Sequence, residues 1–226
     1  MITATQPLEE PDEAGAEPAR TKPSMRGVSH QIGAFVALIA GLVLVASVTS
    51  TQARVATAVY AASLVAMLGI SALYHRRHWP PGPRRWMKRL DHSAIFVLIA
   101  GTYTPICLLV LESEVGVRLL VVAWAGAALG VARALFWVSA PKPLSAALYV
   151  LLGWLVVVEW RAVAQGLGGA GVAWLMAGGA AYTLGAVVYA LRRPDPIPKV
   201  FGFHEIFHVF VLVGAACHYA MIARLV

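Results

Sequence analysis

The chain has 226 residues, of which 59% are hydrophobic and 13% charged, with a mean hydropathy of +0.72. A soluble domain carries roughly 25% charged residues, so this composition excludes a water-soluble core and points to a bilayer. The formal net charge of +7 does not point to nucleic acid, because the Lys and Arg residues sit in short breaks between apolar runs, where the positive-inside bias of membrane proteins places them.

Residues 1–25 differ from the rest. They hold Glu9, Glu10, Asp12, Glu13 and Glu17, five of the eleven acidic residues, together with Pro7, Pro18 and Pro23. This composition predicts a disordered, solvated tail and does not fit a signal peptide, which needs a basic start followed directly by an apolar stretch. Residues 26–226 form one membrane domain.

A membrane-crossing helix needs about 20 apolar residues, and seven stretches qualify: about 32–50, 54–74, 92–111, 116–138, 143–164, 169–191 and 203–223. The expected fold class is therefore an all-α bundle of seven transmembrane helices. The break after the second stretch runs from Arg76 to Arg89 and contains six Lys/Arg. The break after the sixth contains Arg192, Arg193 and Lys199, and a Gly-rich turn from Gly166 to Gly171 separates the fifth and sixth. Lys22 and Arg26 precede the first stretch and Lys142 lies between the fourth and fifth, whereas the alternate breaks are poor in positive charge. This asymmetry predicts a cytoplasmic N-terminus and, with seven crossings, a C-terminus outside. Cys107 and Cys217 both lie in apolar runs and read as buried fillers rather than a disulfide.

Ionisable groups in membrane helices are costly and mark function by default. His30 precedes the first stretch, His75 ends the second, Asp91 opens the third, and His204 and His208 open the seventh. Chain parity puts all of these at the cytoplasmic ends of their helices; His218 lies about 15 Å further along the seventh at 1.5 Å per residue. His204 and His208, at i and i+4, project from one helix face, and Ser71 and His75 share that spacing. A catalytic zinc site takes three protein ligands and leaves a position open. His75, His204 and His208 supply three imidazoles, and Asp91 could orient water or accept its proton. The bland alternative is that each histidine is an interfacial anchor or a helix cap. The stretch His204-Glu205-Ile206-Phe207-His208 also matches the H-E-x-x-H pattern of zinc peptidases. Its longer extension fails, since Gly214 stands where a third histidine would fall. Glu205 reads equally as an acidic residue complementing the helix dipole.

The segments Ser71-Ala72-Leu73-Tyr74-His75, Leu90-Asp91-His92-Ser93-Ala94-Ile95-Phe96, Ala100-Gly101-Thr102-Tyr103-Thr104-Pro105 and Gly202-Phe203-His204-Glu205-Ile206-Phe207-His208 together resemble the hemolysin III family. That family is the bacterial branch of the progestin and adiponectin receptor group. The resemblance covers about residues 26–226. It implies a multi-pass protein of the bacterial cell membrane, Zn2+ held by His75, His204 and His208, an Asp91 that contacts zinc-bound water, and Ser71 as a nearby polar partner. The family often has a Glu and an Asn ahead of the first histidine; here Lys22 and Arg26 occupy those spacings and only His30 is kept.

The resemblance implies two activities of different kinds: hydrolysis of a lipid amide or ester, with membrane lipids as partners, and a hemolysin-like pore. A non-enzymatic receptor or regulator with structural zinc is a third reading. A retinal photoreceptor does not fit, because the seventh stretch has no lysine for a Schiff base.

Overall fold

The computed structural model describes residues 23–197 and 199–226. The expected tail therefore lies outside the described residues as far as residue 22. The chain then runs through α1 (Val28–Ala46), α2 (Thr51–Arg76), α3 (Pro81–Leu109), α4 (Ser113–Phe136), α5 (Lys142–Gly153), a 3-10 segment (Trp154–Glu159), α6 (Trp160–Leu191) and α7 (Phe203–Ala223). Neighbours in sequence pack together, and α1 also packs on α7, so the first and last helices meet.

Six helical runs among the described residues are long and apolar enough to cross a membrane, the fifth being the continuous stretch Lys142–Leu191. The burial pattern is that of a membrane protein. Outward positions carry large apolar side chains, with Phe35 65%, Ile39 66% and Leu129 73% exposed, while Thr57, Ser71, Asp91 and His208 are buried. Only surroundings as apolar as lipid make that arrangement favourable.

The Lys142–Leu191 stretch doubles back. Lys142 Nζ lies 5.5 Å from the Tyr189 ring, so both ends of the stretch are at the same end of the bundle. Midway, Trp154 Nε1–H donates to Thr183 Oγ1 at 3.0 Å. The reversal is at Gly168, whose φ of 64° and ψ of 174° break an otherwise helical path, a backbone state that glycine adopts without a Cβ penalty. The turn anticipated over Gly166–Gly171 thus narrows to one residue.

α5 ends early because the chain tightens into the 3-10 segment, which strands carbonyls of the last α-turn. Tyr103 on α3 satisfies them: its hydroxyl donates to Leu152 O at 3.2 Å and Gly153 O at 2.7 Å, and accepts from Val156 N–H at 2.8 Å. Within α3, Pro105 lacks an N–H. The hydroxyls of Thr102 and Thr104 turn back onto Leu98 O and Ala100 O at 2.8 and 3.1 Å, so polar groups near the break are met within the helix.

Two boundaries differ from expectation. α3 begins at Pro81, eleven residues before the expected 92, because Pro-Gly-Pro can open a helix where no N–H is needed and the basic turns after it face polar surroundings. His30 lies inside α1 rather than ahead of it, because Gly27, with φ 77°, turns the chain into the helix directly before Val28.

Candidate metal centre

Two helices bring the predicted ligands together. His75 is in the last turn of α2, while His204 and His208 are in the first two turns of α7. One ring nitrogen from each lies within 4.8 Å of the others. His75 Nε2 and His204 Nε2 are 3.2 Å apart. Two nitrogens bound about 2.0–2.1 Å from a tetrahedral ion are separated by roughly 3.3 Å, so this pair already has the spacing of one edge of such a site. The ring of His208 stands 5.1 Å from that of His75 and 4.6 Å from that of His204, both edge-on. His208 Nδ1 is buried with no hydrogen-bond partner among the described residues. A buried, unsatisfied imidazole beside two facing ring nitrogens is costly in an empty apolar bundle and fits a cation.

The surrounding groups hold these rings in place. Asp91 Oδ2 is 3.8 Å from His75 Nε2, beyond hydrogen-bond distance but close enough to act on a group between them. The Ser71 hydroxyl, near the Asp91 carboxyl, shares a 2.9 Å hydrogen bond with His30 Nδ1. His30 in turn stacks on His208, with centroids 3.7 Å apart and an interplanar angle of 11°. The predicted residues Ser71, His75, Asp91, His204 and His208 are therefore all in one cluster, and His30, which spacing alone did not attach to it, joins as a fourth imidazole against the ligands.

Glu205 takes no place in this cluster. Its carboxylate accepts from Gly202 N–H at 2.8 Å and pairs with Arg26, capping α7. The central glutamate of the H-E-x-x-H stretch thus serves the helix start, which disfavours a peptidase with Glu205 as general base. His218, deeper in the bundle, bonds Leu175 O at 3.3 Å and is separate from the cluster.

The cluster opens into a cavity of about 1080 Å³. At the cluster end its wall carries Arg26, His75, Asp91 and His204; further in it turns apolar, with Leu98, Ile106 and Leu175. The gradient suits a molecule with a polar head and an apolar tail.

A many-pass helical membrane protein with a triple-histidine group at one end of the bundle is the class these features define. The Haemolysin-III related family profile matches residues 19–219, and the chain belongs to that family. It is 34% identical over 192 residues to Hemolysin-3 of Bacillus cereus, covering 84% of each chain. It is 33% identical over 192 residues to the Hemolysin-3 homolog of Bacillus subtilis (strain 168), covering 84% of this chain and 87% of that one. More distantly, it is 26% identical over 201 residues to the adiponectin receptor protein of Drosophila melanogaster, covering 77% of this chain and 43% of that one.

Proposed function

We propose that the protein is a zinc-dependent hydrolase of lipid amide or ester bonds that crosses the bilayer seven times, with its N-terminus in the cytoplasm and its C-terminus outside. The doubling back of Lys142–Leu191 at Gly168 supports counting that stretch as two crossings, and the Lys/Arg bias of alternate breaks supports the orientation.

The observation that carries the hydrolase reading is the buried cluster of His75, His204 and His208 with Asp91 beside it, at the polar end of a cavity whose far wall includes Leu98, Ile106 and Leu175. His75, His204 and His208 would hold the ion through neutral ring nitrogens. Zinc bound there supplies a Lewis acid for the substrate carbonyl and lowers the pKa of water to about 7. Asp91 would accept the proton released as water adds to the acyl carbon. It then returns that proton to the departing amine or alkoxide as the C–N or C–O bond breaks, leaving a carboxylic acid and an amine or alcohol. Ser71 holds Asp91 and His30 in register. The apolar end of the cavity binds the acyl chain and keeps bulk water from it.

The test is the metal content of detergent-purified wild type beside His208→Ala, by elemental mass spectrometry, followed by a lipid-hydrolysis screen. The reading expects about one zinc per chain, lost in the variant, and turnover that Asp91→Asn abolishes. A folded wild type that neither contains nor takes up zinc would refute it. Zinc without turnover on any lipid amide or ester would favour an ion that only pins α2 to α7.

A further inference from the structure

The hydrolase reading leaves unused a second polar cluster, formed around the α3 residues that flank Asp91. Of the buried side-chain nitrogen and oxygen atoms without a hydrogen-bond partner among the described residues, four belong to Arg89 Nε, His92 Nδ1, Ser93 Oγ and Arg133 Nε. Arg89, His92 and Ser93 are at i, i+3 and i+4 on α3 and share a face. Phe96, one turn on, lies against Gly130 of α4. In the antiparallel α3–α4 pair this sets Ser93 level with Arg133. The guanidinium of Arg133 bonds Ser145 of α5, and Tyr149, two turns from the start of α5, donates to His92 O at 3.4 Å.

The charges acting on His92 are Lys88, Arg133 and Lys142, all positive. Arg89 and Arg133 meet no carboxylate among the described residues; Arg89 instead lies over the Trp86 ring at 4.6 Å. Positive charge at the cytoplasmic end of a helix is ordinary, but it is then usually solvated. Here Ser93 and Ser145 are buried, and two arginine Nε atoms are buried with no hydrogen-bond partner among the described residues. Asp91 also acts on Tyr149, but the cations named here outnumber it, and donors gathered this way match the acceptor oxygens of a phosphate.

The cluster meets the cavity at His92, and Arg133 lies behind the wall against Tyr149. Lys88, His92, Lys142 and Tyr149 line the cavity wall, and from His92 the face of α3 continues through Ile95, Ile99, Tyr103 and Ile106. That track is about 21 Å long at 1.5 Å per residue, and after His92 it is mainly apolar.

We propose that Lys88, His92, Arg133 and Lys142 form the head-group subsite for a lipid bearing a phosphate, whose tail lies along the Ile95–Ile106 face of α3. The proposal rests on the hydrolase reading where it names that enzyme's substrate class; the subsite itself is a matter of binding. Arg133 reaches the phosphate from α4, His92 and Lys88 from α3, and Lys142 from the start of α5. A lipid so held places its linkage next to Asp91, the residue before His92.

The test is calorimetric titration of the purified full chain in a non-ionic detergent with three probes: dioctanoyl phosphatidate, dioctanoylglycerol and inorganic phosphate. The proposal expects phosphatidate to bind at least tenfold more tightly than either of the others. Arg133→Gln should weaken phosphatidate at least tenfold and leave dioctanoylglycerol unchanged. Equal binding of phosphatidate and dioctanoylglycerol would overturn it. Inorganic phosphate binding as tightly as phosphatidate would overturn the lipid assignment and leave a free-anion site. If Arg133→Gln does not fold, the wild-type contrast still decides, and Lys142→Gln, at the helix start, gives the second variant. The two readings fail separately: His208→Ala, expected to lose zinc and turnover, should keep phosphatidate binding, and a wild type that binds phosphatidate selectively but holds no zinc, or shows no turnover, would sink the hydrolase and keep the subsite. Zinc and turnover without selective phosphatidate binding would do the reverse.

Discussion

The imidazole of His30 lies flat on that of His208, 3.7 Å between centroids, and is fixed there by its 2.9 Å hydrogen bond to Ser71. A stacked ring behind a ligand limits how that ligand can rotate. Groups that orient metal ligands in this way typically change affinity by about 10–100-fold when removed. His30→Ala, with His75, His204 and His208 all present, is therefore expected to lose zinc affinity by about that factor. Competition against a chromophoric chelator measures it, and an unchanged affinity would show that the stack is packing alone.

Removal of the ion should also cost stability. A site held at a hundredfold excess of zinc over its dissociation constant stabilises the fold by about 2.7 kcal/mol. For a chain of this size each kcal/mol shifts the melting temperature by roughly 2–4 °C. Chelation is thus expected to lower the Tm of the wild type by several degrees and to leave that of His208→Ala unmoved, as read by thermal unfolding in detergent.

Arg26 and Glu205 form a pair across the α1–α7 seam, with the Glu205 side chain 3% and that of Arg26 20% exposed. Removing one partner of a buried pair leaves an uncompensated charge and costs about 3–5 kcal/mol. The partial exposure of Arg26 places its loss at the lower end. Arg26→Met should destabilise by about 3 kcal/mol, and adding Glu205→Gln should restore part of that. Glu205→Gln alone should retain zinc, since the residue faces the helix start and not the histidines. Loss of zinc in that variant would contradict the assignment.

The reversal at Gly168 gives a topological prediction. Space beside Gly169 is open, so Gly169→Cys is tolerated, as is Arg193→Cys in the exposed loop after α6. In a background lacking Cys107 and Cys217, a membrane-impermeant thiol reagent applied to intact cells should label position 169 and spare 193. Labelling of both, or of 193 alone, would contradict seven crossings with the N-terminus inside.

The grouping of the three histidines was legible in the sequence because helical arithmetic acts locally. His204 and His208 share a face by their i, i+4 spacing, and the parity of the apolar runs brings His75 and Asp91 to the same end. His30 was not legible as part of the site, since its partners, Ser71 and His208, lie on other helices and neither spacing nor charge announces a stack. The first turns of α3 were hidden for a different reason. A run as basic as Arg84-Arg85-Trp86-Met87-Lys88-Arg89 shows no apolar stripe, although Met87 is buried. The 3-10 segment after α5 was also out of reach, because an apolar run reads alike whichever helix it forms, and the Tyr103 hydroxyl that accommodates the break is fifty residues away. Arg89 reads as loop-side positive charge, and its closeness to Arg133 emerges only when α3 and α4 are laid against each other.

His75 and His204 are separated by 129 positions, and the helix carrying His204 and His208 is made after the other six. During synthesis the first two helices therefore enter the membrane with His30 and His75 facing no imidazole from α7, and the triple-histidine group cannot close until α7 arrives. If the group takes zinc as proposed, capture of the ion would report completed assembly. A chain stalled before Phe203 would present one histidine of the three.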